Sequence, residues 1–327
     1  MGDKRVGILG LGAYLPQKVL TNFDLEKMVN TSDEWIRTRT GINSRHIAPP
    51  ELATSDLAVF AAGIAIKNAG IKKEDIGLII VATITPDMIM PSTSCIVQAK
   101  LDIKEAACYD INAACSGFIF AVSTASDYIK NNPSRYALVI GAEIISRFVD
   151  WQDRSTCVLF GDGAGACVLG MVREGGLLST YMGSDGTFAD LLKIPAGGSK
   201  LPTTHKTLDN KLGFLKMEGN EVFKIAVRAM VDSVNKALLK ANLTEKNVDC
   251  VIPHQANLRI IEAVLKKLGF SKDRAFLNID RCGNMSAAST PVALYEAVST
   301  GKIKRGDIVV LVAFGGGLTW GALVLRW

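Results

Sequence analysis

Residues 107–122 read ACYDINAACSGFIFAV: a short apolar run, a group of small or turn-prone residues, a cysteine, and then a helix. Cys108–Ile111 predicts a buried strand, and Asn112-Ala113-Ala114 keeps side chains small where the chain must turn. From Ser116 onward Phe118, Ala121, Val122, Ala125 and Ile129 follow helical spacing. Cys115 therefore stands at a helix N-terminus, where unpaired N–H groups and the positive end of the helix dipole favour a thiolate. Cysteine is usually an inert core residue. Cys115 departs from that rule because small residues on both sides leave room for a substrate, whereas Cys108, Cys157, Cys167 and Cys250 lie inside apolar runs that read as core strands.

The residues on either side of this stretch are those of a large α/β protein. With 327 residues, 48% of them hydrophobic, the chain can bury a large core and form two domains of ordinary size. MGDKRVGILG passes straight from charge into a strand, with no leader pattern, and no apolar run reaches the ~18 residues of a membrane span. Seven cysteines without a C-x-x-C pair, and only three histidines, point away from disulfides and metal and toward a reduced cytoplasmic setting. The net charge of +5 is mild and its lysines are dispersed, which suits an anionic ligand but not nucleic acid.

Val6–Tyr14 predicts a first strand whose G-L-G-A-Y-L fails as a dinucleotide fingerprint, since Leu15 and Pro16 replace the third glycine and the helix start. Thr31-Ser32-Asp33-Glu34 reads as a capping box opening a helix that stops near Gly41, with Trp35 and Arg39 on one face. A helix over 55–68 leads through Lys72–Asp75 into a strand over 78–84. Tyr136–Ile140 reads as another strand, and FGDGAGACVL (160–169) as a tight strand-turn-strand corner.

The second half repeats the first. Ala65–Ile80 and Ala237–Ile252 share apolar pattern and turn placement, the mark of an internal duplication. A helix over 220–241 buries Phe223, Val227, Met230, Val234 and Leu238. The strand after it ends in Pro253-His254-Gln255-Ala256-Asn257, a strand over 275–279 ends before Gly283-Asn284, and a last strand over 308–313 runs into Phe314-Gly315-Gly316-Gly317. Repeated helix and strand units predict two parallel-type sheets with helices around and between them. Ligands in such sheets gather beyond the carboxyl ends of the strands, where Cys115, His254, Asn284 and the glycine run all fall.

A thiol, an imidazole, a carboxamide and a flexible backbone are the parts for acyl transfer from a thioester. The order Cys, His, Asn is also that of papain-like hydrolases, but A-A-C-S-G stands where that family has C-G-S-C-W, and the duplication has no place there. A binding or regulatory subunit of the same fold would be expected to lack the cysteine.

D-I-N-A-A-C-S-G-F, P-H-Q-A-N-L-R-I, G-N-M-S-A-A-S and F-G-G-G-L-T-W-G, in that order and with T-S-D-E-W-I near the N-terminus, make the chain resemble the β-ketoacyl-acyl-carrier-protein synthase III family over essentially its whole length. The resemblance implies a thiolase fold, with duplicated βαβ-type halves (1–173 and 174–327) in a five-layered α/β/α/β/α arrangement. It implies a homodimer that condenses a short acyl-coenzyme A primer with malonyl-acyl-carrier protein, releasing carbon dioxide, with no cofactor beyond the coenzyme A thioester that is its substrate. Related enzymes of secondary metabolism use the same residues for other acyl transfers.

By motif, Cys115 would be acylated, His254 and Asn284 would stabilise the enolate, and the Cys115 and Gly316 amides would form the oxyanion hole. Trp35, Arg39, Arg154, Gly219, Phe223 and Asn257 would hold coenzyme A. Gln255, Ala256, Asn257, Leu258 and Arg259 would meet the carrier protein, together with Lys224, Lys266 and Lys267 as basic candidates. Two positions depart from the family: Cys282 replaces a larger ring or imidazole before Gly283-Asn284. Met90 replaces an aromatic residue before Pro91, which predicts a primer pocket that accepts acetyl and somewhat longer or branched short acyl groups.

Overall fold

The computed structural model describes residues 5–327, so the expectation drawn from Met1–Lys4, that no leader precedes the first strand, lies outside the described residues. A five-stranded sheet contains β1 (Arg5–Tyr14), β2 (Ile76–Ala82), β3 (Ala107–Ile111), β4 (Tyr136–Ile144) and β5 (Asp162–Val172) in the order β1-β5-β4-β2-β3. A four-stranded sheet contains β6 (Gly176–Ser184), β7 (Cys250–Pro253), β8 (Ile308–Gly315) and β9 (Thr319–Arg326) in the order β7-β8-β9-β6. The first sheet pairs antiparallel at β1/β5 and β5/β4 and parallel at β4/β2. The second repeats this at β6/β9, β9/β8 and β8/β7, as a duplicated unit should.

Side chains on a strand alternate between faces, and both faces here are apolar. Leu78, Ile80 and Ala82 of β2 and Val309, Leu311 and Ala313 of β8 point to a shared middle layer, made by α3 (Gly117–Asn131) and α6 (Ser289–Ser299). Ile79 and Val81 point outward to α2 (Thr54–Ala69), while Val310 and Val312 point outward to α4 (Gly219–Lys240) and α5 (Leu258–Lys267). The result is five layers, α/β/α/β/α. No helix of the described residues is long and apolar enough to cross a membrane.

Several sequence expectations change. FGDGAGACVL does not turn: β5 runs unbroken from Asp162, paired on both sides. Its glycines serve close packing, since a Cβ on Gly165 would stand 2.7 Å from the Val292 backbone nitrogen at the start of α6. β3 is an edge strand, half-buried rather than buried, with Tyr109 37% exposed. α1 (Asp33–Thr40) is capped by Ser32, whose hydroxyl accepts from Trp35 N at 3.1 Å, rather than by a Thr31–Glu34 box.

The strand expected over 275–279 shrinks to one bridge, Ala275 with Val251. Beyond it the buried Gln255 side chain accepts from Asn278 N (3.1 Å) and Ile279 N (3.2 Å), diverting the chain into the short helix Ile279–Cys282. Finally, β8 is not the last strand. β9 follows it and carries Thr319 to the site.

Candidate active site

The sharp turn after β3 is made by Ala114 at φ +46°, a left-handed conformation that L-residues adopt only under constraint. Thr319 supplies part of that constraint: its Oγ1 donates to the Ala113 carbonyl (2.8 Å) and lies 2.6 Å from Ser116 Oγ. Cys115 follows in a short 3₁₀ turn that runs into α3. The end of β8 closes over it so tightly that a Cβ on Gly315 would lie 2.5 Å from Cys115 N, which explains glycine there and brings Gly316 beside the same turn.

Cys115 is buried, and burial pushes its thiol up to about 12, with the Ser286 hydroxyl opposing and buried Glu143 adding to the rise. The climb from 9.0 to about 12 corresponds to roughly 4 kcal/mol. A helix N-terminus returns at most ~2 kcal/mol. Burial and the helix N-terminus thus act on this thiol in opposite directions.

His254 follows β7, held by its backbone N–H donating to Val312 O at 2.7 Å. Neither ring nitrogen has a hydrogen-bond partner among the described residues, and burial holds the imidazole neutral, with its pKa lowered to about 3. A neutral imidazole offers one donor and one acceptor. Asn284 is fixed from both sides: its N–H donates to Leu159 O (2.8 Å), and its Oδ1 accepts from Ser286 N (2.9 Å), which leaves Nδ2 to donate. These residues line one cavity of about 1630 Å³ together with Gly316.

Trp35, Arg39, Gly219, Phe223 and Asn257 line the same cavity further out. The Arg39 and Arg154 guanidiniums lie 4.9 and 4.7 Å from the Trp35 ring centroid, and Arg154 also donates to Asn30 O. Asn257 caps α5 by accepting from Arg259 N and donates to Arg39 O, tying the two halves together at this rim. Lys224, Ala256 and Arg259 complete the rim, and Leu258 is half-buried beside them, packed over Gly41.

Other expected positions fall elsewhere. Gln255 is fully buried, donating to Pro253 O at 2.7 Å, and has no surface to offer a carrier protein. Lys266 and Lys267 are exposed at the far end of α5, about 10 Å along its axis from Arg259 and outside the cavity. Cys282 is buried in a small core with Met285, Ala288 and Val292, away from the cavity. Met88 and Ile89 reach the cavity, but Met90 does not line it and is 83% exposed.

Sequence reasoning passed over Glu143 and Ser286. The signal was an acid in an otherwise apolar strand, hidden because that strand continues to Ile144 rather than stopping at Ile140.

A family model described as 3-oxoacyl-[acyl-carrier-protein (ACP)] synthase III matches residues 109–186, and the corresponding C-terminal model matches residues 238–327. The chain is 54% identical over 322 residues to the β-ketoacyl-[acyl-carrier-protein] synthase III of Caldanaerobacter subterraneus subsp. tengcongensis, covering 98% of this chain and 97% of the relative. The crystal structure of 3-oxoacyl-[acyl-carrier-protein] synthase III from Aquifex aeolicus superposes with a TM-score of 0.91 at 48% identity, covering 98% of this chain and 100% of that one. The priming β-ketosynthase of a polyketide biosynthetic pathway superposes with a TM-score of 0.92 at 33% identity, covering 100% of this chain and 97% of that one.

Proposed function

The chain belongs to the β-ketoacyl-acyl-carrier-protein synthase III family, and from that premise we propose how its residues divide the work. The enzyme is an acyltransferase of the thiolase fold that carries out the initiating condensation of fatty-acid synthesis. Its substrates are an acyl-coenzyme A primer and malonyl-acyl-carrier protein. Acetyl-coenzyme A is the primer we assign first.

Cys115 attacks the primer thioester and keeps the acyl group. The Cys115 and Gly316 amides hold the oxyanion that forms at the carbonyl, a role supported by how closely the end of β8 approaches the cysteine turn. His254 and Asn284 Nδ2 then donate to the malonyl thioester oxygen, so the enolate left by loss of carbon dioxide is stabilised by neutral donors already in place. That enolate attacks the acyl-cysteine. Coenzyme A enters along the Trp35, Arg39, Gly219, Phe223 and Asn257 wall, with Arg154 against the Trp35 ring, and the carrier protein meets the Ala256, Asn257, Arg259 and Lys224 rim, with Leu258 beside it and Lys266 and Lys267 further along α5.

The halves are taken as 1–173 and 174–327, because β5 ends at Val172 and β6 begins at Gly176. We place the enzyme in the cytoplasm as a homodimer. All seven cysteines are unpaired, which supports a reducing compartment.

The observation that carries this reading is one cavity lined by Cys115, His254, Asn284 and Gly316 together. Intact-protein mass spectrometry after mixing with acetyl-coenzyme A should show one acetyl group, absent in Cys115→Ser. An acetyl mass retained in that variant, or mapped to Cys282 or Cys157, would overturn it.

A further inference from the structure

His254 has no side chain to hold its ring, since neither ring nitrogen has a hydrogen-bond partner among the described residues. Its place comes from packing and from the backbone on either side. Val312 O accepts from His254 N at 2.7 Å, and the His254 carbonyl accepts from Ala256 N at 3.0 Å. The residue between them, Gln255, is fully buried, and neither the attack on the primer nor the carrier-protein rim gives it a role.

The Gln255 carboxamide uses every hydrogen-bonding position it has. Its Nε2 donates to Pro253 O in β7 (2.7 Å) and, at longer range, to Phe276 O (3.4 Å), while Oε1 accepts from Asn278 N (3.1 Å) and Ile279 N (3.2 Å). A side-chain amide offers two donors and two acceptor lone pairs, so all four are engaged. A buried polar group satisfied in this way rigidifies what it joins.

It joins the two segments that carry the enolate donors. The short helix Ile279–Cys282 starts at the N–H groups that Gln255 accepts from, and Cys282 N and Gly283 N donate back to Asn278 O and Ile279 O, each at 3.0 Å. Asn284 is the next residue. From the α6 side Glu296 grips the same helix, accepting from Asn278 Nδ2 (2.7 Å) and from Arg281 Nη1 (2.8 Å) and Nη2 (2.5 Å). A continuous run of bonds therefore leads from the residue after His254 to the residue before Asn284.

We propose that Gln255 is a positioning residue whose carboxamide fixes the separation of His254 and Asn284, an inference that rests on those two residues being the donors to the enolate. Donors to one developing oxyanion act best within about 2.7–3.1 Å of it, so two of them on separate segments need a fixed spacing. A displacement of about 1 Å can cost about a hundredfold in rate. Gln255 itself touches neither substrate nor the reacting atoms. The Cys115 turn and Gly316, which serve acylation in the proposed reading, are held by different bonds, from Thr319 Oγ1 to Ala113 O (2.8 Å) and to Gly316 O (3.1 Å). Loosening Gln255 thus strikes condensation and spares acylation.

The test compares Gln255→Met, Glu296→Ala and His254→Ala with wild type in two assays: acetyl uptake from acetyl-coenzyme A by intact mass, and steady-state condensation with malonyl-acyl-carrier protein. Methionine fills the glutamine's space without its bonds. Gln255→Met should lower kcat for condensation by about tenfold to a hundredfold, with KM for malonyl-acyl-carrier protein within about twofold and acetyl uptake within about threefold of wild type. Glu296→Ala, which frees the same helix from α6, should lower kcat by about threefold or more in the same pattern, and it decides the matter if thermal melting shows that Gln255→Met does not fold. A raised KM with kcat unchanged would make Gln255 a carrier-protein contact, and equal losses of acetyl uptake and condensation would make its role structural only. Either result overturns the positioning role, as does wild-type condensation in a folded Gln255→Met. Wild-type condensation in His254→Ala overturns instead the donor reading on which the proposal rests.

Discussion

At the residue scale the site separates its two half-reactions by what each side chain can still donate. In the proposed division of work His254 and Asn284 have no part in attacking the primer, so His254→Ala and Asn284→Ala should still take up an acetyl group while losing condensation by about a hundredfold or more, the usual loss when one donor to a developing oxyanion is removed. Unchanged release of carbon dioxide from malonyl-acyl-carrier protein in both variants would refute the assignment.

The same burial that neutralises His254 and raises Glu143 couples both to stability, with opposite signs. His254 titrates near 3 in the folded protein instead of 6.5, so below 6.5 the unfolded chain binds a proton the folded one refuses, and stability falls as pH falls through that range. Glu143 titrates near 7 instead of 4.5, so the folded protein holds the extra proton and stability falls as pH rises through that window. Each slope is at most ~1.4 kcal/mol per pH unit, and between 4.5 and 6.5 they oppose. Glu143→Gln removes one of them. Measured by chemical denaturation, its stability relative to wild type should rise from pH 4.5 to 8, and a constant difference would mean that Glu143 is not shifted.

At the element scale, legibility followed local chemistry. The turn at Cys115 could be read because small residues, a cysteine and a helical period are neighbours in sequence, and the strands from Ile76 and Ile308 because they are continuous apolar runs. What escaped depends on partners far along the chain. Gly165 of β5 read as part of a turn, yet its use is contact with α6, more than a hundred residues away. The segment over 275–279 has strand composition, but the Gln255 side chain takes up the N–H groups that a ladder would need. β3 carries the apolar sequence of a core strand and lies at an edge.

Contact by contact, the glycines are testable. Gly165→Ala forces a Cβ to 2.7 Å from the Val292 backbone nitrogen and 2.8 Å from Pro291, so overpacking should destabilise by about 1–3 kcal/mol. Gly63→Ala, on the exposed face of α2 with nothing within 4 Å of the new methyl, should instead stabilise by about 0.5–1 kcal/mol. Equal melting shifts of one sign in the two variants would contradict this account of the sheet-to-helix contact.

At the scale of the whole molecule, one edge is unfinished. Among the described residues β3 pairs only with β2, which leaves a row of backbone groups open beside Tyr109, and the loop from β2 extends next to it with Ile89 88% and Met90 83% exposed. The helix after this loop is anchored to the edge, Thr93 N and Ser94 N donating to Asp110 at 2.6 and 2.8 Å, so the apolar loop and the open strand form one surface. Open edges and apolar loops of this kind invite a second copy, and a two-fold contact presents each substitution twice. If the proposed homodimer forms through this surface, Met90→Asp should shift the sedimentation mass from dimer toward monomer.

Met90 also bears on primer choice, and its position makes that effect diagnostic. It does not line its own chain's cavity, so in the proposed homodimer an influence on selectivity would reach the partner's cavity across this surface. A flexible methionine can move aside for methylenes that a rigid ring excludes, and each methylene fully accommodated contributes up to ~0.8 kcal/mol, about a fourfold preference. Met90→Phe should shift kcat/KM toward acetyl over butyryl and isobutyryl primers while the protein remains a dimer. An unchanged ranking in a protein that still dimerises would show that Met90 does not bound the partner's acyl pocket, whereas a changed ranking in a monomer would place its influence within one chain.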